Sequence, residues 1–301
     1  VLTVVALGGN ALLGPGERGT AAEQRANLAR TFRAASTLFA EAPLVLTHGN
    51  GPQVGNELLR QELGSAEVPP LPLWLAVAQT QAEIGALAAG ELRPLVDVEV
   101  SVLLTHVVVD PNDPAFSNPT KPVGPFYDKA TADGLRRDRE WILREDAGRG
   151  WRRVVPSPEP LEIVELETIR VLLATGGIVV GVGGGGIPVA RRGDRLDGID
   201  AVIDKDLASA LLAIRLEADR LVILTQVAAL ERAFGTPDAE PISELRPGRD
   251  DAILAELAAG SMRPKIDAAF RFVRETGGEA LVTSAEALES GEAGTRILPA
   301  R

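Results

Sequence analysis

Six short runs of Val, Ile and Leu, each ending in Gly or a polar turn and separated by helical patterns, constrain this chain more than any other feature. Runs of this length without apolar/polar alternation suit strands buried on both faces, the material of parallel sheets. We expect strands at Leu2 to Leu7, Pro43 to Thr47, Val98 to Val109, Gly177 to Val182, Arg220 to Leu224 and Glu279 to Val282. Helical patterns fall at Ala21 to Ala40, Gly55 to Gln61, Leu73 to Leu92, Leu161 to Thr175, Asp206 to Glu217, Asp250 to Ala258 and Lys265 to Glu275. Strand and helix in alternation require crossover connections, so the expected class is α/β, with a mainly parallel central sheet covered by helices on both faces. Composition agrees: 45% hydrophobic residues with only 4% aromatics leave Ala, Val, Leu and Ile to build the core.

At 301 residues the chain exceeds the usual size of one hydrophobic core, which predicts two lobes, residues 1–195 and 196–301, divided after the Gly run. Between Asp110 and Pro160 the pattern changes to Pro-rich turns and a charged stretch at Arg136 to Arg149, expected as a helix with a solvated face and Trp141 on one side. This segment, about residues 111–160, reads as an insertion. The balance of 42 acidic against 31 basic residues, a net charge of −11, argues against general affinity for nucleic acid or anionic membrane. With no Cys, thiol redox chemistry, a thiolate nucleophile and a zinc-thiolate site are excluded. The opening VLTVVALGG lacks a basic leader and runs into a Gly turn, so it reads as a first strand rather than a signal peptide, and no later run reaches the roughly 18 apolar residues of a membrane span. A cytoplasmic protein is the expectation.

Three Gly-rich turns follow expected strands: Gly8, Gly9 and Asn10; Gly49, Asn50 and Gly51; and Gly183 to Gly186. Strand ends are where open α/β sheets bind ligands, and Gly there lets backbone N–H groups approach an anion. No Gly is followed directly by Lys, so a Walker A loop is absent; Gly181, Gly183 and Gly186 match a dinucleotide spacing, but Pro188 stands where a helix should propagate. The chain has two histidines, His48 and His106, too few for a His-based metal cluster. His48 opens a Gly turn, where it is placed to touch ligand, and His106 on its apolar strand reads as a satisfied core residue. Only four of 31 basic residues are lysines: Lys121, Lys129, Lys205 and Lys265. A GC-rich coding bias would thin lysines in this way, yet three of them with the Gly turns also suit phosphoryl transfer, which asks for cations and oriented N–H donors rather than acid/base groups. Asp206, beside Lys205 in IDKD, can orient these lysines; Asp204 is the less certain neighbour.

These motifs resemble one family along nearly the whole chain, carbamate kinase within the amino-acid kinase fold. The matching segments are ALGGNALL from Ala6, HGNGPQVGN from His48, DPAFSNPTKPVGPFY from Asp113, RRVVPSP from Arg152, GGGGIPV from Gly183, IDAVIDKDLASALLA from Ile199 and GSMRPKIDAA from Gly260. The resemblance implies an open three-layer αβα sandwich, commonly a homodimer, that moves a phosphoryl group reversibly between carbamoyl phosphate and ADP, giving ATP and carbamate, with Mg²⁺ carried on the nucleotide phosphates and no side-chain metal ligand assigned. It implies that lobe 1–195 takes the carbamate end, that the insertion protrudes as a lid, and that lobe 196–301 takes the nucleotide. Gly8, Gly9, Asn10, Gly49, Asn50 and Gly51 would hold the carbamate end and the transferred phosphate; Lys121 would reach over the phosphoryl group; Lys205 and Lys265, organised by Asp206, would neutralise phosphate charge; Thr225, Gln226 and Met262 would join Lys205 and Lys265 around the nucleotide. Lys129 matches no such position and is expected at the surface. The chain departs from the family pattern at Gln226, where an Asp is usual, at Glu231, near an expected Tyr, at Glu159, where PSP is usually followed by Lys, and at Ala82 and His106. The phosphate machinery is thus kept while the nucleotide wall is altered, losing an anion and a flat apolar face. A related kinase for another small carboxylate, or a non-catalytic or altered-nucleotide paralogue, are the alternative readings.

Overall fold

The computed structural model describes residues 1–14, 16–139, 141–145, 150–257, 262–292 and 294–300. The first half runs β1 (Thr3–Leu7), α1 (Ala21–Ala34), α2 (Ser36–Phe39), β2 (Leu44–His48), α3 (Gly51–Gly64), α4 (Leu73–Leu92), β3 (Val100–Val102) and β4 (His106–Val108). The insertion follows as β5 (Lys121–Tyr127), α5 (Lys129–Arg139), β6 (Leu143–Glu145) and β7 (Trp151–Val155), and the chain returns through β8 (Glu162–Ile163), α6 (Leu166–Leu173), β9 (Ile178–Val180), β10 (Ile187–Arg192) and β11 (Arg195–Gly198). The last third comprises α7 (Lys205–Arg215), β12 (Arg220–Leu224), β13 (Leu230–Arg232), β14 (Glu240–Ile242), β15 (Glu244–Leu245), α8 (Ile253–Glu256), α9 (Met262–Thr276), β16 (Glu279–Thr283), α10 (Ala285–Ser290) and β17 (Thr295–Ile297).

Among the described residues the central sheet has eight strands in the order β15-β17-β16-β12-β1-β2-β9-β3, and β16–β17 is its one antiparallel pair. Successive residues of each strand face opposite sides. Val4, Ala6, Val45 and Ile223 pack on one side with the apolar faces of α6, α7 and α9; Val5, Leu7, Leu46 and Val222 pack on the other with α1, α4 and α10. The result is the expected three-layer αβα sandwich. Because β1 pairs with β12 in parallel, both halves of the chain share this sheet. Smaller sheets flank it: β11-β10-β4-β8, β13-β14, and β5-β7-β6 in the insertion.

Several expected elements need redrawing. The single strand from Val98 to Val109 is two strands in two sheets, because Thr105 turns the chain away, its carbonyl accepting from Ile187 N and its N–H donating to Gln81 Oε1. The helix from Ala21 to Ala40 breaks at Ala35, and the one expected from Gly55 begins at Gly51, with Pro52 in its first turn where no intrahelical N–H is needed. The segment from Leu161 starts as β8, and only Ile253–Glu256 of the Asp250 pattern is helical, Ala258 lying outside the described residues. In the insertion the helix is earlier than expected, Lys129–Arg139, and Leu143–Glu145 is a strand; residues 140 and 146–149 lie outside the description. Among the described residues no helix is long and apolar enough to cross a membrane.

Candidate active site

The parallel strands β1, β2, β9 and β12 all end on one edge of the sheet, and the three Gly turns leave from there. The first turn stays tied to the ladder: Gly8 N donates to Leu224 O at 2.9 Å, and Gly49 N at the head of the second donates to Leu7 O at 3.2 Å. A Cβ on Gly8 would stand 2.9 Å from Leu224 O, inside any tolerable contact, so glycine is required by close backbone approach. The third turn lies on the second, with Gly184 at φ +66° and its missing Cβ occupied by the Asn50 side chain. Helix α4 fastens both: Thr80 Oγ1 accepts from Asn50 Nδ2 at 3.0 Å, and Gln81 Nε2 donates to Gly183 O at 2.8 Å.

Two cavities open over these turns. The smaller, about 210 Å³, is lined by Gly9, Gly49, Asn50 and Gly51, by Lys121 of β5, by Asp204, Lys205 and Asp206 at the start of α7, by Gly184, and by Lys265 of α9. The larger, about 860 Å³, is lined by Gly8, Gly9, Thr225, Gln226, Leu230, Glu231, Phe234, Met262 and Lys265. Gly9 and Lys265 belong to both, so the cavities meet at a backbone turn and an ammonium.

The charges of the small cavity alternate. Lys121 Nζ donates to Asp204 Oδ2 at 2.6 Å; Lys205 donates to Asp206 Oδ1; Lys265 Nζ donates to Asp206 Oδ2 at 3.2 Å. Three lysines against two aspartates leave the group one positive charge over. Burial lowers the Lys205 ammonium below the ordinary lysine range, with Asp206 pulling the other way. Burial alone would raise the Asp204 carboxyl, but the Lys121 ammonium, Lys205 and the Asp206 N–H hold it well below the usual carboxylate range.

Of the residues singled out from sequence, Gly9, Gly49, Asn50, Gly51, Lys121, Lys205, Asp206 and Lys265 meet around the small cavity, and Gly8, Gly9, Thr225, Gln226, Met262 and Lys265 around the large one; Lys205 reaches only the small one. Asn10 sits in the 3-10 turn Gly9–Ala11, its side chain outside the described set, as are Gly260 and Ser261 of the GSMRPK segment. Lys129 is exposed at the start of α5 and lines neither cavity. His48 lies behind its turn rather than in a cavity: it is 1% exposed, Nδ1 faces Gly49 O at 3.1 Å, and burial pushes it down to about 4. His106 is satisfied by Glu165, which takes its ring at 2.8 Å and its N–H at 2.7 Å, though it is only half-buried.

Sequence reasoning passed over the Thr80–Gln81 staple, the lysine partner of Asp204, and Phe234. Phe234 lines the large cavity from the turn after β13, so a flat apolar face is present three residues beyond the position where its loss was read. An aromatic beside a Gly turn in a chain with only 4% aromatics was the available signal. Glu159 in place of a Lys has a counterpart too: its carboxylate pairs with Arg271 on α9.

A sequence model of the amino acid kinase family matches residues 1–284. The carbamate kinases of Pyrococcus horikoshii and Pyrococcus furiosus are 43% and 44% identical to this chain, each comparison covering 98% of both proteins. Solved structures of carbamate kinase from Giardia lamblia superpose closely: the citric acid complex with a TM-score of 0.93 at 39% identity, covering 99% of this chain and 98% of that one, and the AMP-PNP complex with 0.90 at 40%, with the same coverage. The chain belongs to the amino acid kinase family and, within it, to the carbamate kinases.

Proposed function

We propose that this chain transfers a phosphoryl group reversibly between carbamoyl phosphate and ADP, forming ATP and carbamate. The observation that carries the proposal is the lysine–aspartate cluster lying where the two cavities join, with Lys265 and Gly9 common to both. A large cavity of about 860 Å³ suits a nucleoside, a small one of about 210 Å³ suits a phosphoryl group with a small acceptor, and charge passing between them crosses the cluster. Phosphoryl transfer spreads negative charge over the equatorial oxygens, and oriented cations and backbone N–H groups stabilise it without proton bookkeeping.

In this reading Gly49, Asn50 and Gly51 hold the carbamate end, Gly8, Gly9 and the Asn10 backbone approach the transferred phosphate, and Lys121 covers it from β5. Lys205 takes charge on the transferred phosphoryl group in the small cavity and Lys265 on the nucleotide side, each fixed by one oxygen of Asp206. Thr225, Gln226 and Met262 contact the nucleoside, with Phe234 as a flat wall. Lobe 1–195 then serves carbamoyl phosphate and lobe 196–301 the nucleotide, with the insertion as lid.

Mg²⁺ fits as a passenger of the nucleotide. Among the described residues no three His, Asp or Glu side chains gather as a metal cage, and the aspartates nearest the cavity are held by lysines, so the donor set for a hard, partly hydrated cation is the phosphate chain itself. When bound it neutralises the phosphate oxygens that the lysines do not reach. Carbamoyl phosphate is a mixed anhydride, which favours the direction toward ATP and a place in the breakdown of carbamoyl compounds such as those of arginine metabolism; use of nucleotides supports a cytoplasmic setting. A homodimer belongs to the same proposal, checked by light scattering.

Purified protein given carbamoyl phosphate, MgADP and coupled ATP detection tests the central step. Turnover that Lys265→Ala lowers by several orders of magnitude is expected, since a developing charge would lose its cation. A folded protein without turnover above background would overturn the proposal.

A further inference from the structure

We infer that Asp204 is a positioning residue whose second carboxylate oxygen holds Lys121, and with it strand β5, over the small cavity. The inference rests on the function proposed above and adds a residue to it.

The two oxygens of Asp204 do different work. Oδ1 caps α7, accepting from Asp206 N at 2.9 Å and Leu207 N at 3.4 Å. Oδ2 accepts from Lys121 Nζ at 2.6 Å. Capping needs only one oxygen, and Asn, Ser or Thr would provide it about as well. The charge suits the helix N-terminus as well, but the second oxygen is taken up by Lys121 and not by the helix. Asp204 keeps only 15% of its side-chain surface and Lys121 30%, so water screens the pair less than it would at the surface.

The location gives the pair its effect. Lys121 opens β5, which comes from an insertion held to its own sheet through β7 and docked on α3, while Asp204 precedes the helix that carries Lys205 and Asp206. One helix start thus fixes the three lysines that line the cavity: Asp204 takes Lys121, the helix itself carries Lys205, and Asp206 takes Lys205 and Lys265. An ammonium has three donors, so Lys121 can keep one on Asp204 and turn others to a phosphoryl oxygen. Held in this way, the cation is in place before the phosphoryl group arrives, and the lid is tied to the phosphate-binding helix through a contact independent of its docking on α3.

Asp204→Asn is the test, because Asn keeps the capping oxygen and the size while removing the charge that holds Lys121. In the coupled assay we expect kcat/KM for carbamoyl phosphate to fall about 100-fold, the scale of a misplaced reacting group, with KM for ADP little changed. In a Lys121→Ala background the same substitution should cost almost nothing further, since its effect passes through Lys121. Asp204→Ser, which also caps, should reproduce the single-variant loss. Unchanged activity in Asp204→Asn, or an equal loss with and without Lys121, overturns the inference. Should the wild-type protein make no ATP, the function proposal fails by itself, and hydrogen exchange decides this one: amides of Lys121–Tyr127 should exchange faster in Asp204→Asn than in wild type, and equal rates would overturn it.

Discussion

Lys205 and His48, whose charges act on each other, answer pH in different ways. The Lys205 ammonium is lowered by burial, so as pH rises it loses its proton earlier than an ordinary lysine and the cavity loses a cation. The kcat/KM profile, which reports the free enzyme, should therefore decline on the alkaline side below the usual lysine range; a rate that stays flat up to that range would contradict this role. His48 is neutral when folded, at about 4 against an ordinary 6.5. Its folded form binds fewer protons than the unfolded chain between these values, so stability rises with pH across that window and is lost as pH falls from about 6.5 to about 4. A shift of this size corresponds to roughly 3 kcal/mol at most. Chemical denaturation of wild type and His48→Gln from neutral pH to pH 4 should show the acid loss in the former and a smaller one in the latter.

At the scale of elements, the crossing of α3 and β5 decides where Lys121 can be. Gly55 of α3 meets the Gly124 backbone so closely that a Cβ would overlap it, and neither neighbour is a side chain able to swing aside. Gly55→Ala should destabilise the protein by about 1–3 kcal/mol, as overpacking does, and lower turnover by lifting β5 and Lys121 together; denaturant unfolding and the coupled assay check both. The same elements mark what sequence could and could not tell. Most strands of the central sheet were legible because runs such as Val4–Leu7 and Leu221–Leu224 are buried on both faces, whereas the short strands β15 and β17 at its edge carry no such run and were not foreseen. Strand β5 was not, since KPVGPFY carries two prolines and owes its pairing to β7 across a turn-rich segment. The split at Thr105 was hidden because apolar residues continue on both sides of it. In the site, lysine scarcity and Gly turns singled out residues that the fold brings together around two joined cavities, but which carboxylate of IDKD receives Lys121 depends on a contact 83 residues away and had no local sign.

Across the whole molecule, the central sheet sets the edge on which both cavities open, the flanking layers hold its Gly turns, and the insertion brings a lysine back over them. In the proposed reaction phosphorus moves from carbamoyl phosphate to ADP across the cavity junction at Lys265. Following the reaction by ³¹P NMR tests this directly, because transfer and simple hydrolysis give different phosphorus products. With carbamoyl phosphate, MgADP and the purified chain, the account predicts that the carbamoyl phosphate signal is replaced by the γ-phosphate of ATP, and that Lys265→Ala leaves it at its uncatalysed rate of decay. Inorganic phosphate as the enzyme-dependent product, or no enzyme-dependent change at all, would contradict it.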